Sequence, residues 1–476
     1  VNHRGTETQR RQEKTVLKVL SSLLCVSVSL WLISSSRAAE PLPNTKPLTE
    51  DGDLAAKMVA GIHRYLDREL AAAPAKRDEV WKDALASKEA LAKSLPAKRE
   101  RLRKMLGVVD ERVKPNLEYR AGPGKASLIE EIDECKIHRV RWSVLPGVHA
   151  EGFLIEPKGQ PKANVVYLPG TGAGARNIPY DLELARHGCR VLMPTMIDRH
   201  DELSGNAKLK RQTNLPHREF IWRMAYEMGR TLTGYEVQKV LAAVDWFKAD
   251  EAAKKVGVIG YGDGGMIALY AGALDPRIHT TAVALHFAQR ERLHEEPIDH
   301  NVWGLLLEFG DAEVARLHNE ERLHLLPGSM AWEGPASKSG RGGAAPGRIG
   351  PLNVDRDYLP EVIRINGQPR EHGPGSLDRF HQGFLTDLGV WVSQDFRVRL
   401  AREYPDLNPK PKSDPEYSLR HKRQFDQLVA FTQELWRDSD AARREFWKKA
   451  DYRSLAAYEK STEWYRDYFH TEVIGK

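Results

Sequence analysis

The chain has 476 residues, 41% hydrophobic and 29% charged, which is enough apolar material for a large core and enough length for roughly two to three domains of about 150 residues. Its 72 Lys and Arg against 66 Asp and Glu leave a net charge of +6. That surplus is slight for the length and argues against a dedicated nucleic-acid binder, in which basic residues cluster on one element beside stacking aromatics. With 37 Gly and 27 Pro the chain is neither collagen-like nor wholly disordered. Of the three cysteines, Cys25 lies in the N-terminal apolar run. Cys135 and Cys189 cannot build a disulfide framework, so stability must come from packing.

Arg10, Arg11, Lys14 and Lys18 precede an apolar run from Val19 to Ile33, and Ser34-Ser35-Ser36-Arg37-Ala38-Ala39 follows. This layout predicts a secretory signal peptide over residues 1–39, since the run is shorter than the roughly 20 residues of a spanning helix. The expected destination is secreted or periplasmic, with membrane contact only through an uncleaved signal segment. Val1 in place of methionine suggests an alternative start codon or an extended reading frame. Residues 40–53 read as a linker. Residues 54–110 read as a helical extension of two or three short amphipathic helices broken at Pro74 and Pro96, their charges forming a solvated face.

Residues 137–145 and 148–157, around the turn Pro146-Gly147, predict an antiparallel hairpin. A strand–turn–helix rhythm follows. Strands are expected at 163–170, 189–196, 255–262 and 280–287, and helices at 180–186, 234–248 and 264–275. Apolar strands alternating with helices imply an α/β domain over residues 111–404, with a mostly parallel central sheet and helices on both faces. Residues 327–353 read as loop, while RLHLL (322–326) and EVIRIN (361–366) are expected to be the last two strands. Residues 405–476 predict a linker and then an aromatic-rich helical segment, in which Trp436 and Trp447 are expected to pack between helices rather than stack on sugars.

The turn Gly260-Tyr261-Gly262-Asp263-Gly264-Gly265 ends one strand and opens a helix. The letters fit G-x-G-x-x-G. However, the turn lies deep in the chain and no suitable acid follows about 20 residues on, which weakens a dinucleotide reading. A P-loop is excluded because no Gly-Lys-Ser/Thr follows. The alternative is a nucleophile elbow, G-x-S-x-G, in which small residues flank the nucleophile at a strained turn. Gly260 and Gly264 fill the flanking positions, but Gly262 occupies the centre and has nothing to attack with. A shift of one residue centres Asp263 and brings in Tyr261, too bulky for the turn. Glycines that merely allow close helix–strand packing explain the same letters.

In their order, the elements resemble the α/β-hydrolase superfamily. The stretches VHAEGFLIEPKG, GCRVLMPTMIDRHDELSGN, NLPHREFIWRMAYEMGR, KVGVIGYGDGGMIALYAGALDPRI, EEPIDHNVWGLLLEFGDAEVA and GRGGAAPGR are similar to secreted planctomycete-type proteins near the dienelactone hydrolases and acetylxylan esterases. The resemblance covers about residues 137–350. It implies an esterase-like hydrolase acting on carbohydrate esters of the acetylxylan type, with a degenerate, serine-less elbow. It also implies, as the competing reading, an inactive module that binds carbohydrate or supports a neighbouring catalytic domain. Some relatives continue into a second hydrolase unit, for which residues 405–476 would be the spacer.

Such an esterase needs a nucleophile at the elbow, an acid after a late strand and a histidine after the last one. The candidates are Asp263 as nucleophile or base, Glu333 as acid and His372 as histidine. His381 is second to His372, because its helical context suggests a surface residue. Ser204 is a nucleophile that could reach the cleft from the side. The oxyanion hole would use backbone N–H groups at Asp263 and at Thr171 and Gly172. Asp198, Arg199, His200 and Asp201 sit at a strand's carboxyl end, where ligands bind in open α/β sheets, and are the expected substrate-binding residues. His217, Arg218 and Glu219 are expected to cap and pair. His294, Glu295 and Glu296 make a weak metal cluster; no metal or cofactor is expected, and no spacing fits zinc.

Overall fold

In the computed structural model the described residues are 43–121, 126–132, 135–171, 180–206, 208–250, 255–318, 322–328, 332–333, 348–349, 358–365, 370–371, 377–391 and 415–475. The chain divides into two compact units, Val1–Asp67 and Arg68–Lys476. In the first, the described residues carry the opening turns of helix α1 (Leu54–Trp81), with Met58, Val59, Ile62 and Tyr65 exposed. The expected signal peptide lies outside the described residues.

The second unit is built on one ten-stranded sheet. Its strands are β1 (Leu117–Tyr119), β2 (Leu128–Ile132), β3 (Cys135–Leu145), β4 (Val148–Pro157), β5 (Ala163–Leu168), β6 (Cys189–Pro194), β9 (Val256–Tyr261), β10 (Thr280–Ala284), β11 (Leu323–Leu326) and β14 (Arg370–Glu371). Three two-strand pairings complete the description: β7 (Gly205–Asn206) with β8 (Arg211–Gln212), β12 (Trp332–Glu333) with β13 (Arg348–Ile349), and β2 on β3. The sheet order is β1-β3-β4-β6-β5-β9-β10-β11-β14. From β6 to β14 all pairings are parallel, and β1 to β4 join as an antiparallel flank. Strand β5 shows why the central parallel strands are mostly apolar. Val165 and Tyr167 point into one core, Val166 and Leu168 into the other, and all are buried. Both faces are covered, so every residue of the strand must be apolar or paired.

Helices fill the crossovers: α2 (Lys88–Met105) before the sheet, then α3 (Tyr180–Arg186), α4 (His217–Tyr226), α5 (Leu232–Asp250), α6 (Asp263–Leu274), α7 (Leu305–Glu308), α8 (Asp311–Ala315), α9 (Leu359–Ile365) and α10 (Leu377–Asp387). Helices α11 (Pro415–Trp447) and α12 (Leu455–Tyr468) follow. Helix α11 docks on the antiparallel flank. Gln424 accepts from the Glu151 N–H at 3.4 Å, Gln427 accepts from the His149 N–H at 2.9 Å, and Arg423 clasps Glu151 at 2.6 Å.

Several expectations are corrected. Pro74 and Pro96 lie inside α1 and α2 and do not end them. The N-terminal charges are not all solvated, because Arg77 is fully buried and pairs with Glu313 at 3.0 Å and Glu291 at 2.5 Å. Of the strand expected at 361–366, the described residues are not a strand: Leu359–Ile365 is helical, starting at Leu359-Pro360, where proline's fixed φ suits a first turn. The last strand among the described residues is Arg370–Glu371, parallel to β11. His381 is buried, not on the surface, and its Nε2 meets the Tyr261 hydroxyl. Trp436 and Trp447 are exposed at 69% and 41%, not core; among the described residues α12 packs against the far end of α11, where Trp447 stacks on Tyr465.

Candidate active site

The chain passes from β5 out to β6 and then back across to β9, so the strand order reverses between β5 and β9. Such a reversal opens a crevice at the carboxyl ends of the strands. Leu168 pairs with Gly260, so the two strands end level and Thr171 stands beside the glycine-rich turn. The turn is a sharp elbow. A Cβ on Gly260 would lie 2.0 Å from the Gly264 carbonyl oxygen, and one on Gly264 would lie 2.3 Å from that of Leu168. Gly262 sits at φ 55°, ψ −120°, a backbone region costly for any residue with a side chain. The strained centre of the elbow is therefore position 262, the register that leaves it without a reactive atom.

Asp263, the first residue of α6, turns its carboxylate into a ring of partners. Arg199 grips it twice, with Nη2 at 2.9 Å from Oδ1 and Nε at 3.2 Å from Oδ2. His300 Nε2 lies 2.6 Å from Oδ1, and the Thr171 hydroxyl donates to Oδ2. Arg199 continues to Asp299 at 2.8 Å, Asp299 to Arg218 at 2.7 Å, and Arg218 to Glu236 at 2.9 Å. Glu236 also accepts from the Ile197 N–H at 3.0 Å, which fixes the loop after β6 to α5. On the other side His300 Nδ1 reaches Glu296 at 2.9 Å, and Arg290 meets Glu296 at 2.8 Å.

The electrostatics follow from this chain of alternating charges. Burial alone would raise the Asp263 carboxyl, but Arg199 and the hydrogen bond from His300 outweigh it and hold it well below the usual carboxylate range. Burial opposes charge on His300 too, yet its hydrogen bonds to Asp263 and Glu296 raise it above free imidazole. A carboxylate oxygen lies at each ring nitrogen, an arrangement suited to an imidazolium that donates twice, and Arg199 Nη2 stands 3.2 Å from Nε2. Arg199 and Asp263 are nearly sealed, at 6% and 12% side-chain exposure. The arrangement is a charge-balanced plug beside the elbow.

Of the candidates from the sequence, the structure brings together Thr171, Arg199 and Asp263, with Gly260, Gly262 and Gly264 as the elbow. Asp198 turns the opposite way from Arg199. It meets His217 Nδ1 at 2.7 Å and His200 Nδ1 at 3.3 Å. His421 from α11 accepts the Asp198 N–H at 3.0 Å. Asp201 accepts from the Ser204 N–H through its carbonyl and takes no part in the elbow ring among the described residues. Ser204 is fully buried, its hydroxyl without a hydrogen-bond partner among the described residues, so it does not open to a cleft from the side. Glu333 lies in the short strand β12, with its side chain outside the described residues. His372 and Gly172 also lie outside them, although His372 directly follows β14, the last strand of the sheet. His217 and Arg218 pair as expected, and Glu219 holds Arg223 at 2.8 Å. His294 and Glu295 are exposed while Glu296 turns inward to His300, so those three do not form a cluster.

Asp198, His217 and His421 could between them present ligand atoms to a metal ion. The hydrogen bonds oppose it. His217 Nε2 accepts the Leu203 N–H at 2.9 Å, which places its proton on Nδ1, toward Asp198. His421 Nε2 is likewise spent on the Asp198 N–H. Neither ring keeps a lone pair for a metal.

The residues that sequence reasoning missed are Asp299, His300, Arg290 and Glu236. The run Glu295-Glu296-Pro297-Ile298-Asp299-His300 gave a signal, a dense set of acids and a histidine, but nothing local shows that it folds back onto the elbow.

No curated protein matches the sequence. Solved structures similar to the chain include a methylesterase (16% identity, TM-score 0.46, covering 80% of this chain and 81% of that one). They also include acetyl xylan esterase 1 from Thermoanaerobacterium (13% identity, TM-score 0.38, covering 63% and 94%). A third is the glucuronoyl esterase from Solibacter usitatus (12% identity, TM-score 0.39, covering 64% and 96%). The dienelactone hydrolase family model matches residues 150–311, the stretch that holds the elbow, Arg199 and His300. Residues 150–311 are thus similar to the dienelactone hydrolase family, and they lie within an α/β-hydrolase-like fold.

Proposed function

We propose that this chain is a hydrolase-fold unit that does not turn over esters at its elbow and serves as a binding or supporting module, exported as its N-terminus suggests. The observation that carries this reading is Gly262 at the strained centre of the elbow, with the neighbouring Asp263 carboxylate spent on Arg199, His300 and Thr171. A carboxylate held this far down is a poor base, and one clamped by a guanidinium is a poor nucleophile. Losing the nucleophile of a Ser-His-Asp system costs about 10^6 in rate.

A second reading is favoured by one observation, that strand β14, which His372 follows in the sequence, is the last strand of the sheet among the described residues. It is an esterase-like hydrolase acting on carbohydrate esters of the acetylxylan type, with His372 as its base and Asp263, Glu333 or Ser204 as the remaining catalytic groups. Hydrolysis of p-nitrophenyl acetate by the wild type, Asp263→Asn, Ser204→Ala and His372→Ala separates the two. The module reading expects all four at the buffer rate. Wild-type turnover abolished by His372→Ala or Asp263→Asn would replace it with the esterase.

A further inference from the structure

A cavity of about 260 Å³ adjoins the plug and is lined by His300 but not by Asp263. At about 30 Å³ per water it has the capacity of about eight waters, the size of one sugar ring and not of an oligosaccharide. Trp222 and Tyr226 from α4 form one wall, their rings 5.1 Å apart. Trp303 forms another, its indole N–H donating to the Glu472 carbonyl at 3.1 Å. The Trp222 indole N–H donates to the Asn301 carbonyl at 2.9 Å and ties the first wall to the loop opposite.

The polar lining sets the ligand's chemistry. Arg290 meets Glu296 through Nη1 at 2.8 Å, while its Nε stands 3.9 Å from Asp311, beyond hydrogen-bond length. Guanidinium donors are thus left over among the described residues. The Asn301 side-chain oxygen is sealed from solvent without a hydrogen-bond partner among the described residues, so the amide as placed does not offer that oxygen to the cavity it lines. Unspent guanidinium donors beside the cavity suit hydroxyl groups, whose oxygens accept. A hydroxyl both donates and accepts, so it serves either orientation of the Asn301 amide.

Charge decides between a neutral and an acidic ring. Each cation of the network faces a carboxylate: Arg290 and His300 face Glu296, His300 and Arg199 face Asp263, and Arg218 faces Asp299 and Glu236. No positive charge is left over, and a ligand carboxylate would approach Glu296 unfavourably. Aromatic walls favour a ring with apolar faces.

We infer that this cavity binds a single neutral, hydroxylated ring of the pyranose class, between Trp222, Tyr226 and Trp303 and against Arg290 and Asn301. The inference names what the non-catalytic unit would hold, and it can fail separately from that reading, since the ester assay measures turnover and this one retention.

The test is calorimetric titration of the full chain with the methyl glycosides of glucose, galactose, mannose and xylose, with glucuronate and phenol in parallel. At least one neutral glycoside should bind saturably in the roughly millimolar range, with glucuronate about tenfold weaker. Tyr226→Ala, at a partly exposed position, and Asn301→Ala should each weaken it about tenfold while leaving the circular dichroism spectrum unchanged. The inference is overturned if none of the four glycosides binds, if glucuronate or phenol binds more tightly than all of them, or if both variants bind as the wild type does.

Discussion

Asp198 and Arg199 are neighbours in the chain, yet they anchor two opposite kinds of polar cluster. Arg199 enters the elbow ring, where every group but the Thr171 hydroxyl is a titratable or charged side chain that faces one of opposite sign. Asp198 enters a ring of histidines, where His217 and His421 work through ring nitrogens that accept backbone N–H groups. His421 is pushed down to about 4, chiefly by burial, and the charge on Asp198 only partly offsets that. The first cluster should hold across the physiological pH range, whereas the second should fail in acid. Lys239 lies between them electrostatically. Glu236 of the first ring acts on it, and it acts on His421 of the second.

Breaking the elbow ring should have the largest effect. Asp263→Ala leaves Arg199 and His300 buried beside each other with their main carboxylate gone, and such a loss typically costs about 3–5 kcal/mol. Urea denaturation should show that drop at neutral pH. A loss below about 1 kcal/mol would mean that the ring is solvated and contributes as little as surface pairs do.

The histidine ring is sharpened by pH. A histidine whose folded pKa is depressed contributes stability above its unfolded value near 6.5 that is lost as the pH falls toward about 4. His421→Gln keeps an acceptor for the Asp198 N–H but does not titrate. Its denaturation midpoint should fall less than the wild type's between these pH values, by about 1–3 kcal/mol at the acid end. Parallel acid limbs would remove His421 from the account.

The smallest effect belongs to Lys239. Its ammonium is fully buried with no hydrogen-bond partner among the described residues, and burial lowers it to about 8. Lys239→Met should stabilise the chain by about 1 kcal/mol at neutral pH. The gain should shrink as the pH rises through 8 and the wild-type lysine becomes neutral. A destabilised variant would show that the ammonium has a partner.

These clusters also show how much of the molecule is legible in one dimension. The parallel strands β5, β6, β9, β10 and β11 stand out because each is buried on both faces, and the elbow because Gly260 and Gly264 must let backbone touch backbone. The loop 198–201 was found from its place at the end of a strand. Its partners were not, because Asp299 and His300 lie about a hundred residues away in a short 3-10 turn whose letters carry no motif. The segment at 361–366 misled because alternating apolar residues suit a strand as well as a short helix with one buried face. The tryptophans of α11 misled because burial is a property of the neighbours, and among the described residues the ring contacts at the Trp447 end come from α12.

The central claim is that the elbow is closed by a charged ring in which His300 has no proton-accepting nitrogen. Nitrogen NMR of histidine-labelled protein at about pH 7.5, above the range of free imidazole, tests it most directly. The account predicts that His300, identified by His300→Gln, shows two protonated ring nitrogens there. A neutral tautomer at that pH would contradict it and would leave a free base within reach of Asp263.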